Sequence, residues 1–146
     1  CEKELEKYPV HAHKNKGDHI LAGSKKQSHH VVQNAQFMKN GKAVATICEN
    51  YKYGDAPCIP LKGPSTDRTT PHGRATKMQE ADALASKASG VPITYGDAKK
   101  NSRKQLLHAG LTPEEVECVM MVVDAMIRAM CEDITDSTIL RTPGGD

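Results

Sequence analysis

Two Thr-Pro dipeptides, Thr70-Pro71 and Thr112-Pro113, constrain more than any other feature what this chain can fold into. A threonine in extended backbone can accept from the free N–H groups of a helix start. Proline suits the next position, where the N–H it lacks would have no helical partner anyway. Each dipeptide therefore opens a helix. The first runs through Ala75, Met78, Ala81, Ala83 and Leu84 to Gly90, which can end it in a left-handed conformation. The second adds the capping-box Glu115 and carries Val116, Val119, Met120, Val123, Ile127 and Met130 at helical spacing. Met121, Val122 and Ala125 make that helix apolar beyond one stripe, so it is the centre of the domain or partly a partner surface, and the core reading is preferred. Between the two, Val91–Tyr95 reads as an extended link. Asp97 reads as the cap of a helix through Lys99, Lys100, Arg103 and Lys104 to His108, stopped by Gly110.

Upstream of Thr70 the pattern is of short strands and turns. Glu2–Tyr8 can form a short helix. His11 and His13 alternate about Ala12 and, lacking an acidic or Cys partner at a fixed offset, read as surface residues. Ser28–Val32 reads as a strand, Asn40-Gly41 as a turn, and residues 43–48 as a strand or a buried short helix. Glu49–Asp55 is loop-like. Pro57–Leu61 reads as a short strand that its prolines confine to an edge or a strand end. Lys62–Thr69 is a polar loop, and Thr138–Asp146 a loose tail. Strands followed by helices give an α+β class.

With one Phe and no Trp, the core must come from Val, Ile, Leu, Met and Ala, and 146 residues suit a single domain. No apolar run approaches the roughly 18 residues that a membrane span needs, and no secretory signal is visible. Opening on Cys1 rather than Met suggests the C-terminal piece of a longer protein, or a trimmed chain. None of the cysteines 1, 48, 58, 118 and 131 forms a C-x-x-C pair, so a zinc knuckle is disfavoured. The odd count argues against a fully disulfide-stapled fold. Cys118 and Cys131 read as buried thiols, whereas Cys48 and Cys58 can meet across a hairpin. Residues 107–146 hold eight acids against two arginines, a net of −6, so residues 1–106 carry +8 for the whole to come to +2. A basic front with an acidic tail fits a phosphate-binding surface and a separate acidic face.

The doublet His29-His30 carries the chemistry. Neighbours on a strand point to opposite faces, so one imidazole can hold a cation while the other faces a different partner. His72 falls in the first turn of the helix that Thr70 opens. Phosphodiester hydrolysis needs an activated water and charge stabilisation at the phosphate. A divalent ion on His29 and His72 supplies the second, and His30, with an ordinary pKa near 6.5, supplies the first as general base. Asp67, and Thr76 one turn after His72, are candidates for a further ligand. Arg74, Lys77, Lys25 and Lys26 can neutralise phosphates without reading bases. The scarcity of aromatics argues against a stacking platform for single strands.

In order, Ser28-His29-His30-Val31-Val32, Gly54-Asp55-Ala56-Pro57-Cys58-Ile59-Pro60-Leu61 and Thr70-Pro71-His72-Gly73 resemble the SHH branch of the HNH/endonuclease VII (His-Me finger) nuclease toxins, the DNase tips of bacterial polymorphic effectors. The resemblance covers about residues 22–85. It implies a ββα-metal core over about 28–85, with additional C-terminal helices over about 97–133. His29 and His72 become metal ligands and His30 the base. One divalent ion is implied, Mg²⁺ in function, with Zn²⁺, Ni²⁺ or Mn²⁺ able to occupy the site. The substrate implied is double-stranded DNA cut with little sequence preference. The chain becomes part of a larger secreted effector that acts in the cytoplasm of the target cell and is blocked by a cognate immunity protein. Relatives often carry an Asn that braces the loop holding the base, for which Asn50 and Asp55 are the candidates here. Many also carry two helical ligands four residues apart, where this chain has His72 and Thr76.

Two other classes remain. A non-catalytic metal-binding or adaptor module would close a structural site on the same histidines. An RNase effector would use the same phosphodiester chemistry. A zinc deaminase is disfavoured, because Pro57-Cys58-Ile59-Pro60-Leu61 lacks the second Cys of its signature.

Overall fold

The computed structural model describes residues 1–144. Its elements are α1 (Glu2–Lys7), β1 (His11–Ala12), β2 (Lys26–His30), β3 (Met38–Lys39), β4 (Lys42–Ala43), α2 (Ala45–Cys48), β5 (Pro57–Lys62), α3 (Pro71–Ser89), α4 (Tyr95–Ala109) and α5 (Pro113–Met130). The fold is α+β, and β2, β5 and α3 form the ββα unit. Among the described residues no helix is long and apolar enough to cross a membrane.

The helix starts follow the cap chemistry. Thr70 Oγ1 accepts from the Gly73 N–H at 3.1 Å, and Gly90 closes α3 at φ 67°. Thr112 and Glu115 form a capping box at α5. At α4 the expected cap is displaced by three residues. Thr94 is the N-cap, and Asp97 is its box partner, returning a bond to the Thr94 N–H. Tyr95 therefore lies in the helix rather than in a link. It is buried, and its hydroxyl donates to Asp124 on α5 at 2.7 Å.

The sheet order is β1-β5-β2, all antiparallel, so the proline-bearing strand is central and not an edge. Hydrogen-bond parity explains how Pro60 is tolerated, while Pro57 leaves the Val31 carbonyl to the Ser102 hydroxyl. The Pro57 carbonyl accepts from Val31 on the β2 side, and the Ala56 carbonyl accepts from His13 on the β1 side. By alternation Pro60 turns its missing donor toward the β1 side, and β1 stops at Cys58. No ladder bond is lost there. Asn40 and Gly41, both at positive φ, form the tight turn between β3 and β4.

Ile59 and Leu61 pack from the sheet against Leu106 of α4 and Val116, Val119, Met120, Val123 and Ile127 of α5. The broadly apolar α5 is thus the core element, with Met121 on its exposed side. Two disulfides, Cys1–Cys118 and Cys48–Cys131, tie α1 and α2 to the two ends of α5. Both correct the expectation of buried thiols at 118 and 131, and Cys58 is the free, buried cysteine instead of a partner for Cys48. The tail is held as well. Tyr95 N–H donates to Thr138, Leu140 N–H donates to Ile93, and Leu140 is buried. Arg141 Nη1 donates to the Ala35 and Met38 carbonyls. The last two residues of the expected loose tail, 145 and 146, lie outside the described residues.

Candidate active site

The strand register divides the Ser28-His29-His30 tripeptide between two faces. His29 pairs with Ile59, and His30 with Cys58. Directly opposed residues of an antiparallel pair share a face. His29 therefore joins Ile59 on the helix-covered side, whereas Ser28, His30 and Cys58 share the other.

On the helix side, the buried His29 ring meets the His72 ring edge-on, with centroids 5.3 Å apart. The Lys62–Thr69 loop makes this meeting possible. It folds back onto the first turn of α3 so closely that a Cβ at Gly73 would run into the Asp67 backbone carbonyl. The same fold-back sets the Gly63 carbonyl 3.1 Å from His72 Nδ1. Nδ1 is then the protonated nitrogen, and Nε2 carries the free lone pair. Gln79, two turns along α3 from His72, donates from Nε2 to the His30 carbonyl at 3.0 Å and lies 3.4 Å from His29 Nε2. Burial, followed by the neighbouring His72 and His30 rings, lowers the His29 pKa to about 3. Burial also lowers that of His72.

On the other face, His30 lies between two rings, with His13 and Tyr53 each 4.8 Å away centroid to centroid. Burial first, and then His13, lowers its pKa to about 4, against a hydrogen bond to the Tyr53 backbone that works to raise it. Nε2 is shielded from solvent and has no hydrogen-bond partner. His30 is thus a neutral imidazole whose buried Nε2 is unpartnered. His13 Nδ1 lies 3.7 Å from Cys58 Sγ, and burial pushes that thiol up to about 11. His11 is buried, bonded to the Pro9 carbonyl at 2.9 Å and to Ser28 Oγ at 3.0 Å, and stacked on His19. His11 is therefore not the surface residue that the spacing suggested, and His13, though partly exposed, is engaged by the sheet. Their partners, Ser28, His30 and Cys58, come from strands distant in sequence.

The remaining candidates are scattered. Asn50 is exposed and lies beside Met130 and Cys131, away from the doublet. Asp55 pairs with Lys14 at 2.7 Å. Asp67 accepts from the Thr69 N–H and hydroxyl within its own loop. Thr76 is half-buried on α3, one turn past His72. Arg74 donates to the carbonyls of Thr69, His108 and Ala109, which ties α3 to the C-terminal end of α4. Lys77 is exposed. Sequence reasoning missed Gln79, although its i+7 spacing from His72 puts it on the same helix face. It also missed Tyr53, which no motif marks.

The donor set fits a cation in two places. His29 and His72 offer two imidazoles, suited to borderline divalent ions. Among the described residues the one trio of His, Cys, Asp or Glu with converging ligand atoms is His13, His30 and Cys58.

No curated protein and no solved structure matches the chain at a significant level. A family does, and the matched range contains the Ser28-His29-His30 tripeptide that the sheet splits between its faces. Over residues 24–128, well over half its length, the chain belongs to the HNH/Endo VII superfamily toxins with a SHH signature.

Proposed function

We propose that this toxin is a metal-dependent DNase, in which residues 28–85 are the catalytic unit and His29, His72 and His30 carry the reaction. The observation that supports this most directly is the division of labour within the doublet. His29 meets His72 across the strand–helix junction, and His30 keeps a free Nε2 on the neighbouring position. His29 and His72 would hold one divalent ion, which when bound supplies charge stabilisation at the scissile phosphate. The Gly63 carbonyl fixes the His72 tautomer, and Gln79 holds the doublet's backbone to α3. With its pKa near 4, His30 is neutral at pH 7 and can take a proton on Nε2 from the attacking water. The Tyr53 backbone beside the ring favours the protonated form that results. Lys77, Lys25 and Lys26 contact phosphates, whereas Arg74 serves the scaffold.

The biological reading follows from the chemistry. A DNase with little sequence discrimination would destroy its producer's genome, so a cognate immunity protein accompanies it, drawn to the basic front part by the same field that attracts DNA. The domain would act in the target cell's cytoplasm as part of a larger secreted effector. Plasmid incubated with purified protein should be cut with Mg²⁺ and spared with chelator, and the protein should kill a bacterial host unless the immunity protein is co-expressed. An intact plasmid under all divalent conditions would overturn the proposal. One observation favours a second reading, a non-catalytic metal module, namely the convergence of His13, His30 and Cys58. That reading predicts metal-dependent folding without cleavage. Cleavage of RNA alone would move the substrate to the RNase alternative.

A further inference from the structure

The face of the sheet away from α3 gathers soft ligands, of which His13 and Cys58 have no part in the nuclease reaction. His30 and Cys58 are opposed across β2 and β5, and His13 arrives from the 3₁₀ turn that follows β1. One ligand atom from each lies within 4.8 Å of the others. Two of the three have unmet chemistry. His30 Nε2 is buried without a hydrogen-bond partner, and Cys58 holds the free thiol while the other four cysteines are oxidised in disulfides. That thiol makes long contacts, 3.7 Å to His13 Nδ1 and 3.6 Å to the Ala56 carbonyl, with the Ser28 side chain also beside it. His13 is half-exposed and opens onto a groove lined by Lys16, Gly17, Ile20 and Lys26, which gives a path from solvent.

We infer that His13, His30 and Cys58 form a second metal site, selective for Zn²⁺ over Mg²⁺, whose occupation switches the nuclease off. A thiolate with two imidazoles is a zinc donor set, and a hard ion such as Mg²⁺ does not compete for it. Zn–S near 2.3 Å and Zn–N near 2.1 Å require the three atoms to close by about 1 Å. His13, on a surface turn, can supply that movement. Binding releases the Cys58 proton to solvent and leaves the metal–sulfur bond in its place. The lone pair that closes the shell is His30 Nε2, the one assigned to the attacking water. The regulatory half of this inference rests on His30 being the base, and the site itself does not.

The full oxidised chain is tested with Co²⁺ as a spectroscopic probe and Zn²⁺ as inhibitor. With both disulfides intact, Cys58 is the one thiol, so a thiolate-to-cobalt charge-transfer band reports this site alone. The band should appear in the wild type and in His72→Gln, and vanish in Cys58→Ala and in His13→Ala, whose substitution at a half-exposed position leaves the fold intact. In Mg²⁺-supported plasmid cleavage, stoichiometric Zn²⁺ should slow the wild type by about 10²-fold or more, the loss expected when a general base is withdrawn. Cys58→Ala should be nearly unaffected. A wild-type chain without the band overturns the site, and equal zinc inhibition of wild type and Cys58→Ala overturns the regulatory role. A chain that cuts no DNA under any condition sinks the nuclease reading by that measurement, while the band still decides the site.

Discussion

His72 donates from Nδ1 to the carbonyl of Gly63, nine residues before it, at 3.1 Å. This bond joins the loop after β5 to the first turn of α3 and fixes a ring that meets His29 edge-on. A ligand histidine held in this way keeps its tautomer and orientation before any ion arrives. The bond depends on how closely the loop approaches the helix, and that approach depends on Gly73.

Gly73→Ala should therefore damage both stability and metal binding. The added Cβ has no room beside the Asp67 carbonyl, which is backbone and cannot rotate aside. Overpacking of this kind costs about 1–3 kcal/mol. The urea midpoint should fall, and divalent-ion affinity should fall with it as His72 loses Gly63. Wild-type values for both would show that the loop does not set the His72 ring.

The doublet should separate cleavage from metal binding. His30→Ala should lower plasmid cleavage by about 10²–10⁴-fold, the usual worth of a general base. Calorimetric Mn²⁺ affinity, measured with Zn²⁺ excluded, should stay near wild type. His72→Ala should weaken both. Full cleavage by His30→Ala would remove that residue from the mechanism.

Acid should destabilise the metal-free protein early. The native pKa values of His29 and His30, about 3 and about 4, lie below the unfolded value near 6.5. Between those limits the unfolded chain binds protons that the native state refuses. The stability from these two rings is complete above pH 6.5 and is lost as pH falls toward 4, by about 1.4 kcal/mol per pH unit for each ring. Urea midpoints in chelator from pH 7.5 to 4.5 should trace this slope, and His29→Gln should flatten it. Identical slopes in the two proteins would refute the assignment to His29.

Reduction should cost the fold heavily. The disulfides close loops of 117 and 83 residues, and losing a native disulfide from a small domain typically costs 2–5 kcal/mol. A reductant should lower the melting temperature in two separable steps, seen by comparing Cys1→Ser with Cys48→Ser. Thiol counting on the unreduced protein should find one cysteine, Cys58, and only after unfolding. More than one reactive thiol in the native, oxidised protein would contradict the pairing.

Local chemistry let the sequence determine the three long helices, the turn at Asn40-Gly41 and the opposite facing of His29 and His30, while residues 43–48 stayed open between strand and helix. A cap is a bond between residues three apart, and strand alternation needs no knowledge of the partner strand. Even the error at α4 is local, since Thr94 and Asp97 are the two halves of one box. His72 was legible for the same reason, through Thr70 and Pro71 before it. Everything that depends on which segments meet was decided by the tertiary structure. Pro60 sits in the central strand because β1 is too short to need the donor it lacks, and Pro57 because Ser102 of α4 donates to the Val31 carbonyl in its place. Cys118 and Cys131 are oxidised because α5 brings them to Cys1 and Cys48 from more than 80 residues away. His13 joins His30 and Cys58 because three separate segments converge on one sheet face. Those pairings are set by sheet order and helix docking, and no spacing along the chain encodes them.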